Sequence, residues 1–218
     1  VRQGSAHEDT SLMGSSHLLE HMVFKGTKKR TAREIALALE SLGGSLDAYT
    51  SREHTSFQAR VLDEHLPLAL EVLADLILDP RLLPEDLEQE RDVVLEEIAT
   101  VEDTPDDLVF DLHGARLWGQ HPYGHTILGT QSTVAGMPIQ ALRELHATRY
   151  VGANLVVAAA GRVDHGQVVS MVETLFGSLA RGDRPPPLPE CTAQAMGDEQ
   201  VERDSAQTHL VFGRAVPG

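Results

Sequence analysis

The sequence has little cysteine, few basic residues and no long apolar run. Cys191 is the only cysteine among 218 residues, which excludes an internal disulfide and a thiolate metal cluster. The longest apolar stretches, LPLALEVLADLIL and NLVVAAAG, are shorter or more interrupted than the roughly 20 residues of a membrane-spanning helix. With 18 basic against 33 acidic residues, the net charge of −15 argues against nucleic-acid binding, which normally needs a basic face. Neither a membrane span nor a nucleic-acid partner is therefore expected.

Composition otherwise indicates a soluble globular protein. Hydrophobic residues make up 41% of the chain and charged residues 23%, as in ordinary folded domains. The sequence starts at Val1 in a strand-like stretch, without an initiator methionine or a signal segment. We therefore expect a fragment, and the sequence does not decide between the cytoplasm and the periplasm.

The periodicity of apolar residues predicts an α+β fold. Apolar residues at helical spacing predict helices at 31–42, 64–78, 84–103, 106–118, 138–149 and 165–177. Strands are predicted at 45–50, 54–62, 154–161 and 207–213. Because the helices cluster between separated strands, the pattern is typical of α+β proteins.

The segment HLLEHMVF carries the residues best suited to catalysis. If it is helical, His17 and His21 lie one turn apart on one face, where both imidazoles can bind a single Zn²⁺ at about 2.0 Å. Glu20 would lie beside the metal, where a carboxylate can take a proton from zinc-bound water. This His-x-x-Glu-His order is the inverse of the commoner zinc-peptidase motif. The apolar neighbours of the motif indicate a buried helix, in which these polar groups need partners.

A catalytic zinc needs a third protein ligand, and the predicted helix 84–103 offers two candidates. Glu90 and Glu97 are seven residues apart, two helical turns, and so share one face. Glu96 would point about 100° away from Glu97, towards solvent. Spacing alone does not choose between Glu90 and Glu97.

Several motifs follow one another along the chain: HLLEH followed by MVFKGT, then GGSLDAYTSREHTSF, ERDVVLEEI and HPYGHTILGT. Together they resemble the motifs of the pitrilysin or insulinase family of zinc metallopeptidases, especially of its processing-peptidase branch. The resemblance implies a mixed, mainly antiparallel sheet covered by helices, forming one half of a two-domain clam-shell. It also implies one zinc per chain and a metalloendopeptidase activity.

The same resemblance suggests roles for individual residues. The ligand glutamate of such proteins lies about 76 residues beyond the second histidine, and Glu97 is 76 residues beyond His21. Glu90 then corresponds to an acidic residue that supports the site without binding metal.

The resemblance also predicts how substrate is bound. The strand carrying Asp47, Ala48 and Tyr49 corresponds to one that pairs with an extended peptide substrate beside the metal. Phe24 corresponds to a position lining the same cleft. Relatives often have asparagine where this chain has Asp47, which adds negative charge there. For Asp47 and Tyr49, a role as ordinary strand residues remains an equal alternative.

Three segments are expected along the chain. Residues 1–184 form the N-terminal catalytic domain without its first strands, residues 185–206 a Pro-rich and polar connector, and residues 207–218 the start of the following strand. Relatives enclose their site between two homologous halves, so a C-terminal half or partner subunit is expected to complete the enzyme. The main alternative is a non-catalytic structural or assembly subunit of the same family, and a hydrolase of small molecules is a third.

Overall fold

The computed structural model describes residues 1–191, 197–204 and 206–214. These residues form eight α-helices and one β-hairpin, with short 3₁₀ turns between them. The α-helices are α1 Ser15–Val23, α2 Ala32–Glu40, α3 Leu66–Leu78, α4 Pro84–Asp103, α5 Pro105–Trp118, α6 Gln131–Gly136, α7 Ile139–Arg149 and α8 His165–Phe176. The strands are β1 Ser45–Thr50 and β2 Thr55–Arg60. The predicted α+β class is confirmed.

Helix α1 lies in the centre of the main core. Its apolar face consists of Leu18, Leu19, Met22 and Val23, all with no exposed surface. This face packs among buried side chains of α4 and α7, and each such side chain contributes about 1.5–3 kcal/mol by leaving water. Because the chain buries this face, the opposite face of α1 is fixed in position.

The first turn of α1 is held by residues that precede it. Gly14, at its N-terminal boundary, has a φ of +88° and no side chain that could cap the helix. The carboxylate of Glu8 takes this role, accepting hydrogen bonds from the Gly14 and Ser16 backbone N–H groups at 2.8 and 2.7 Å. A helix start needs such acceptors because its first N–H groups have no partner within the helix.

The hairpin packs against α1 and a second, smaller core. Its strands are antiparallel, with Ser45 opposite Arg60 and Thr50 opposite Thr55. The smaller core is formed by buried side chains of α2 and α3, with partly buried side chains of the hairpin packed against it. Helix α2 begins with a capping box, in which the side chain of Thr31 accepts from the Glu34 backbone N–H and the side chain of Glu34 accepts from the Thr31 backbone N–H.

Two predicted strands are absent from the described residues. Asn154 ends the 3₁₀ turn Gly152–Asn154, residues 155–161 have no regular secondary structure and are largely exposed, and residues 207–213 are irregular. Both segments have the composition of a strand, but a ladder also needs a neighbouring strand to accept its hydrogen bonds, and only β1 and β2 pair in the part of the chain described. The prediction for residues 215–218 lies outside the described residues.

The helices also bear on the expected absence of a membrane span. Within the described ranges, no helix combines the length and apolar character that crossing a bilayer requires.

Candidate metal centre

The face of α1 opposite the core carries the polar residues of the motif. The segment is helical from Ser15 to Val23, so His17 and His21 lie one turn apart with their ring centroids separated by 4.6 Å. Glu20 lies beside them and is buried. Two imidazoles and a carboxylate are thus grouped on one face of a helix whose opposite face is buried in the core.

Helix α4 brings a third donor to this group. Glu97 places one carboxylate oxygen 3.7 Å from His17 Nε2 and the other 3.8 Å from His21 Nε2. One ligand atom from each of the three side chains lies within 4.8 Å of the others. Donors around a tetrahedral Zn²⁺ at 2.0–2.2 Å are about 3.3–3.5 Å apart, so small side-chain adjustments would bring these atoms to a metal.

The protonation state of His17 suits metal binding. Burial, and then the neighbouring His21, lower the pKa of His17 to about 4, so its imidazole is neutral near pH 7 and has a free lone pair. Its Nδ1 is buried and has no hydrogen-bond partner among the described residues. The donor set of two imidazoles and one carboxylate is one that zinc commonly takes, and the side chain of Glu97 is 40% exposed, which leaves an approach from solvent.

Glu90 contacts the ring nitrogen of His21 that Glu97 does not approach. Its Oε2 accepts a hydrogen bond from His21 Nδ1 at 3.1 Å, and its Oε1 forms an ion pair with Lys25 Nζ at 2.5 Å. This hydrogen bond keeps the proton of His21 on Nδ1 and leaves Nε2 available on the side of Glu97. The geometry therefore distinguishes the two glutamates that spacing alone left equivalent.

Glu20 is held from the other side by the hairpin. Its Oε2 accepts a hydrogen bond from the Thr50 hydroxyl at 2.5 Å. Burial raises the pKa of the Glu20 carboxyl above its usual range, while this hydrogen bond opposes the shift. A carboxylate with a raised pKa is a better proton acceptor in water near neutral pH.

Strand β1 ends at this group of residues. Asp47 and Tyr49 are exposed, Ala48 is half-buried, and the Tyr49 hydroxyl lies 3.3 Å from His54 Nε2. One edge of β1 pairs with β2, and no strand among the described residues pairs with the other edge. Phe24, at the end of α1, is partly buried against both cores, so much of its ring serves packing.

Comparison with known proteins assigns the family. A family model described as "Insulinase (Peptidase family M16)" matches residues 1–131, more than half of the chain. The chain belongs to the insulinase family. A second model, "Peptidase M16 inactive domain", matches residues 137–218.

Relatives within the insulinase family are much longer than this chain. An uncharacterized zinc protease of Mycobacterium leprae is 42% identical over 222 residues, which cover 100% of this chain and 50% of the relative. A probable mitochondrial-processing peptidase subunit beta of Arabidopsis thaliana is 36% identical, covering 97% of this chain and 39% of that protein. The crystal structure of a protease from Helicobacter pylori superimposes with a TM-score of 0.82 at 26% identity, covering 88% of this chain and 47% of that one. The chain thus spans about half the length of the relatives it matches.

Three residues contact the HLLEH segment or the start of α1 in ways that the sequence did not predict. Thr50 and Lys25 make the contacts described above, and Glu8 caps α1. Lys25 lies four residues after His21, a spacing that could have suggested a shared partner. Glu8 had an indirect signal, because a helix beginning at a glycine needs an acceptor from elsewhere. Nothing in the sequence indicates the long-range contact of Thr50 with Glu20.

Proposed function

We propose that this chain is the metal-binding half of a zinc-dependent endopeptidase that cleaves extended peptides or unfolded segments. The observation that carries the proposal is the convergence of His17, His21 and Glu97 within 4.8 Å of one another, beside the buried carboxylate of Glu20. Membership of the insulinase family and the naming of relatives as zinc proteases support it.

Each residue has a distinct role in the proposed reaction. His17, His21 and Glu97 would hold one Zn²⁺, and Glu90 would keep His21 in the tautomer that binds it. When bound there, zinc would supply Lewis acidity towards the scissile carbonyl and would make a nearby water easier to deprotonate. Glu20 takes a proton from the attacking water and then delivers it to the departing amide nitrogen.

The free edge of β1 is the proposed substrate-binding strand. An extended peptide can add to this edge through main-chain hydrogen bonds, while Asp47, Ala48 and Tyr49 contact its side chains. Phe24 contributes an apolar wall where its ring remains accessible. This mode of binding selects extended backbone over folded protein, because a folded substrate has few unpaired backbone groups to offer.

Zinc content distinguishes the proposed ligand from its neighbour on the same helix. We expect about one zinc per wild-type chain by elemental analysis. We expect Glu97→Gln to lose most of the metal and Glu90→Gln to retain a weakened site, whereas Glu96→Gln, an exposed neighbour, serves as the matched control. A folded wild-type chain without stoichiometric zinc would contradict the catalytic assignment and favour a structural subunit.

The role of Glu20 is tested separately from metal binding. Glu20→Gln keeps the size of the side chain and removes the base, so zinc content should stay near one per chain. Cleavage of a quenched fluorescent peptide should fall by about 10²–10⁴-fold, the usual contribution of a general base. Equal activity of this variant and the wild type would exclude Glu20 as the base.

A further inference from the structure

The Thr50 hydroxyl connects the proposed base to the proposed substrate strand. Thr50 is the last residue of β1, and its Oγ1 lies 2.5 Å from Glu20 Oε2. This is the hydrogen bond that the described residues make to the Glu20 carboxylate, and Oε1 receives none from them. One oxygen of the base is therefore fixed, while the other remains available for a proton from water.

The position of Thr50 is set by its pairing across the hairpin and by the backbone hydrogen bonds of the next residue, Ser51. Thr50 pairs with Thr55 across the hairpin, and the turn that follows is closed by the Ser51 N–H donating to the His54 carbonyl at 2.8 Å. The Ser51 carbonyl accepts from the Ser5 N–H at 3.2 Å, which ties the turn to the N-terminal segment. A β-branched side chain on such a strand has few χ1 positions open to it.

Counting protons shows which hydroxyl serves Glu20. The Thr55 hydroxyl donates to the Gln3 carbonyl at 2.9 Å, so its single proton is already used. The Thr50 and Thr55 oxygens are 3.3 Å apart, and Thr55 can act there only as an acceptor. The Thr50 proton can therefore go to Thr55 or to Glu20, and an ionised carboxylate at 2.5 Å is the stronger acceptor.

We propose that Thr50 is a positioning residue, whose hydroxyl holds one oxygen of the Glu20 carboxylate and aims the other at the attacking water. This rests on the proposed function. Thr50 is also the last residue of β1, the proposed substrate-binding strand. The end of β1 would therefore position both the peptide and the Glu20 carboxylate. A shift of β1 would move both together.

The test compares two substitutions of Thr50 in this chain assayed together with the homologous half. Thr50→Val keeps the shape and β-branching but removes the donor, and it should lower kcat by about tenfold to a hundredfold, as expected for one hydrogen bond to a charged group. KM should stay within about twofold, and zinc content should remain equal to the wild type. Thr50→Ser, which keeps the hydroxyl, should recover most of kcat.

A matched control removes the facing hydroxyl. Thr55→Val leaves the Thr50–Glu20 hydrogen bond in place, so its kcat should stay near that of the wild type. An unchanged kcat in Thr50→Val would overturn the positioning role. A loss of kcat in Thr55→Val or in Thr50→Ser as large as the loss in Thr50→Val would also overturn it.

A second measurement does not depend on activity or metal. In urea unfolding of the zinc-free chain, the shift of the midpoint caused by Thr50→Val should shrink when Glu20 is already alanine, because the two side chains interact. Simple additivity of the two shifts would show that the bond is not formed. A third outcome is that the two shifts are coupled while the wild-type chain binds no zinc and cleaves no peptide. That result would overturn the proposed function, and with it the catalytic role of Thr50, and would leave the Thr50–Glu20 hydrogen bond as a structural contact.

Discussion

At the scale of single residues, Lys25 is the contact on which Glu90 depends. Glu90 is only 4% exposed, and a buried carboxylate is costly unless it is paired. The partly exposed Lys25 forms an ion pair with Glu90, its Nζ lying 2.5 Å from Oε1. The other oxygen of Glu90 holds the His21 ring through a hydrogen bond of 3.1 Å. The chain Lys25–Glu90–His21 thus runs from the surface to a proposed metal ligand.

Replacing Lys25 by methionine should weaken zinc binding without unfolding the chain. Methionine retains the apolar stem but removes the ion pair of Glu90, so the carboxylate that holds the His21 imidazole is itself held less firmly. Loss of such an outer contact typically costs 10–100-fold in metal affinity, and we expect about tenfold by competition with a chelating dye. Lys28→Met, which breaks an exposed ion pair with Asp79, is the control. Equal zinc affinities in both variants would contradict this chain of contacts.

At the scale of elements, the start of α1 depends on a carboxylate six residues upstream. Glu8 is 8% exposed and accepts two backbone hydrogen bonds there. Burial raises the pKa of Glu8 to about 7, while its hydrogen bonds from Ser16 and Gly14 oppose the shift. The helix that carries the proposed metal ligands therefore begins at a titratable group.

This raised pKa predicts a pH-dependent stability. Between the unfolded pKa of 4.5 and the folded pKa of about 7, the folded chain binds more protons at Glu8, so its contribution is full below pH 4.5 and is lost as pH rises towards 7. The wild type should thus lose about 3 kcal/mol of unfolding free energy relative to Glu8→Gln over that range, since each pKa unit is 1.36 kcal/mol. Urea titrations of both chains at several pH values measure the difference, and a constant difference would exclude the shift.

Helices were predicted better than strands, for a physical reason. The prediction of a helix at 84–103 coincides with α4, because the apolar period and Pro84 are both local signals. The short helix α6 was missed, since six residues carry too little periodicity.

The prediction of a strand at 45–50 was correct, but the prediction of a strand at 154–161 was not, because a strand also requires a partner that local sequence does not reveal. In the same way, the HLLEH motif suggested its own geometry but not the contacts from distant residues such as Thr50.

At the scale of the whole molecule, the described site is open on one side. Glu97 is 40% exposed, and the free edge of β1 has no strand beside it in the described part of the chain. The relatives are about twice as long as this chain. A second half that covers this side would exclude water and strengthen each electrostatic interaction in the site.

Adding the homologous half should therefore raise cleavage without changing zinc content. We expect the isolated chain to hold about one zinc and cleave a quenched peptide slowly, and the combined halves to cleave at least about tenfold faster, as expected when a substrate is oriented by a closed site. Metal analysis and peptide kinetics on the same samples separate the two effects. Full activity in the isolated chain would show that the second half is dispensable.

The placement of the donors on α1 and α4 has a consequence for the newly made protein. His17 and His21 are separated from Glu97 by a long stretch of chain, and packing of α1 against α4 in the buried core that includes Leu18 and Val94 brings them together. A nascent or misfolded polypeptide therefore lacks the three-donor cluster, because proximity of the donors is a property of the folded state. The proposed peptidase activity would therefore arise only after α1 and α4 have packed together.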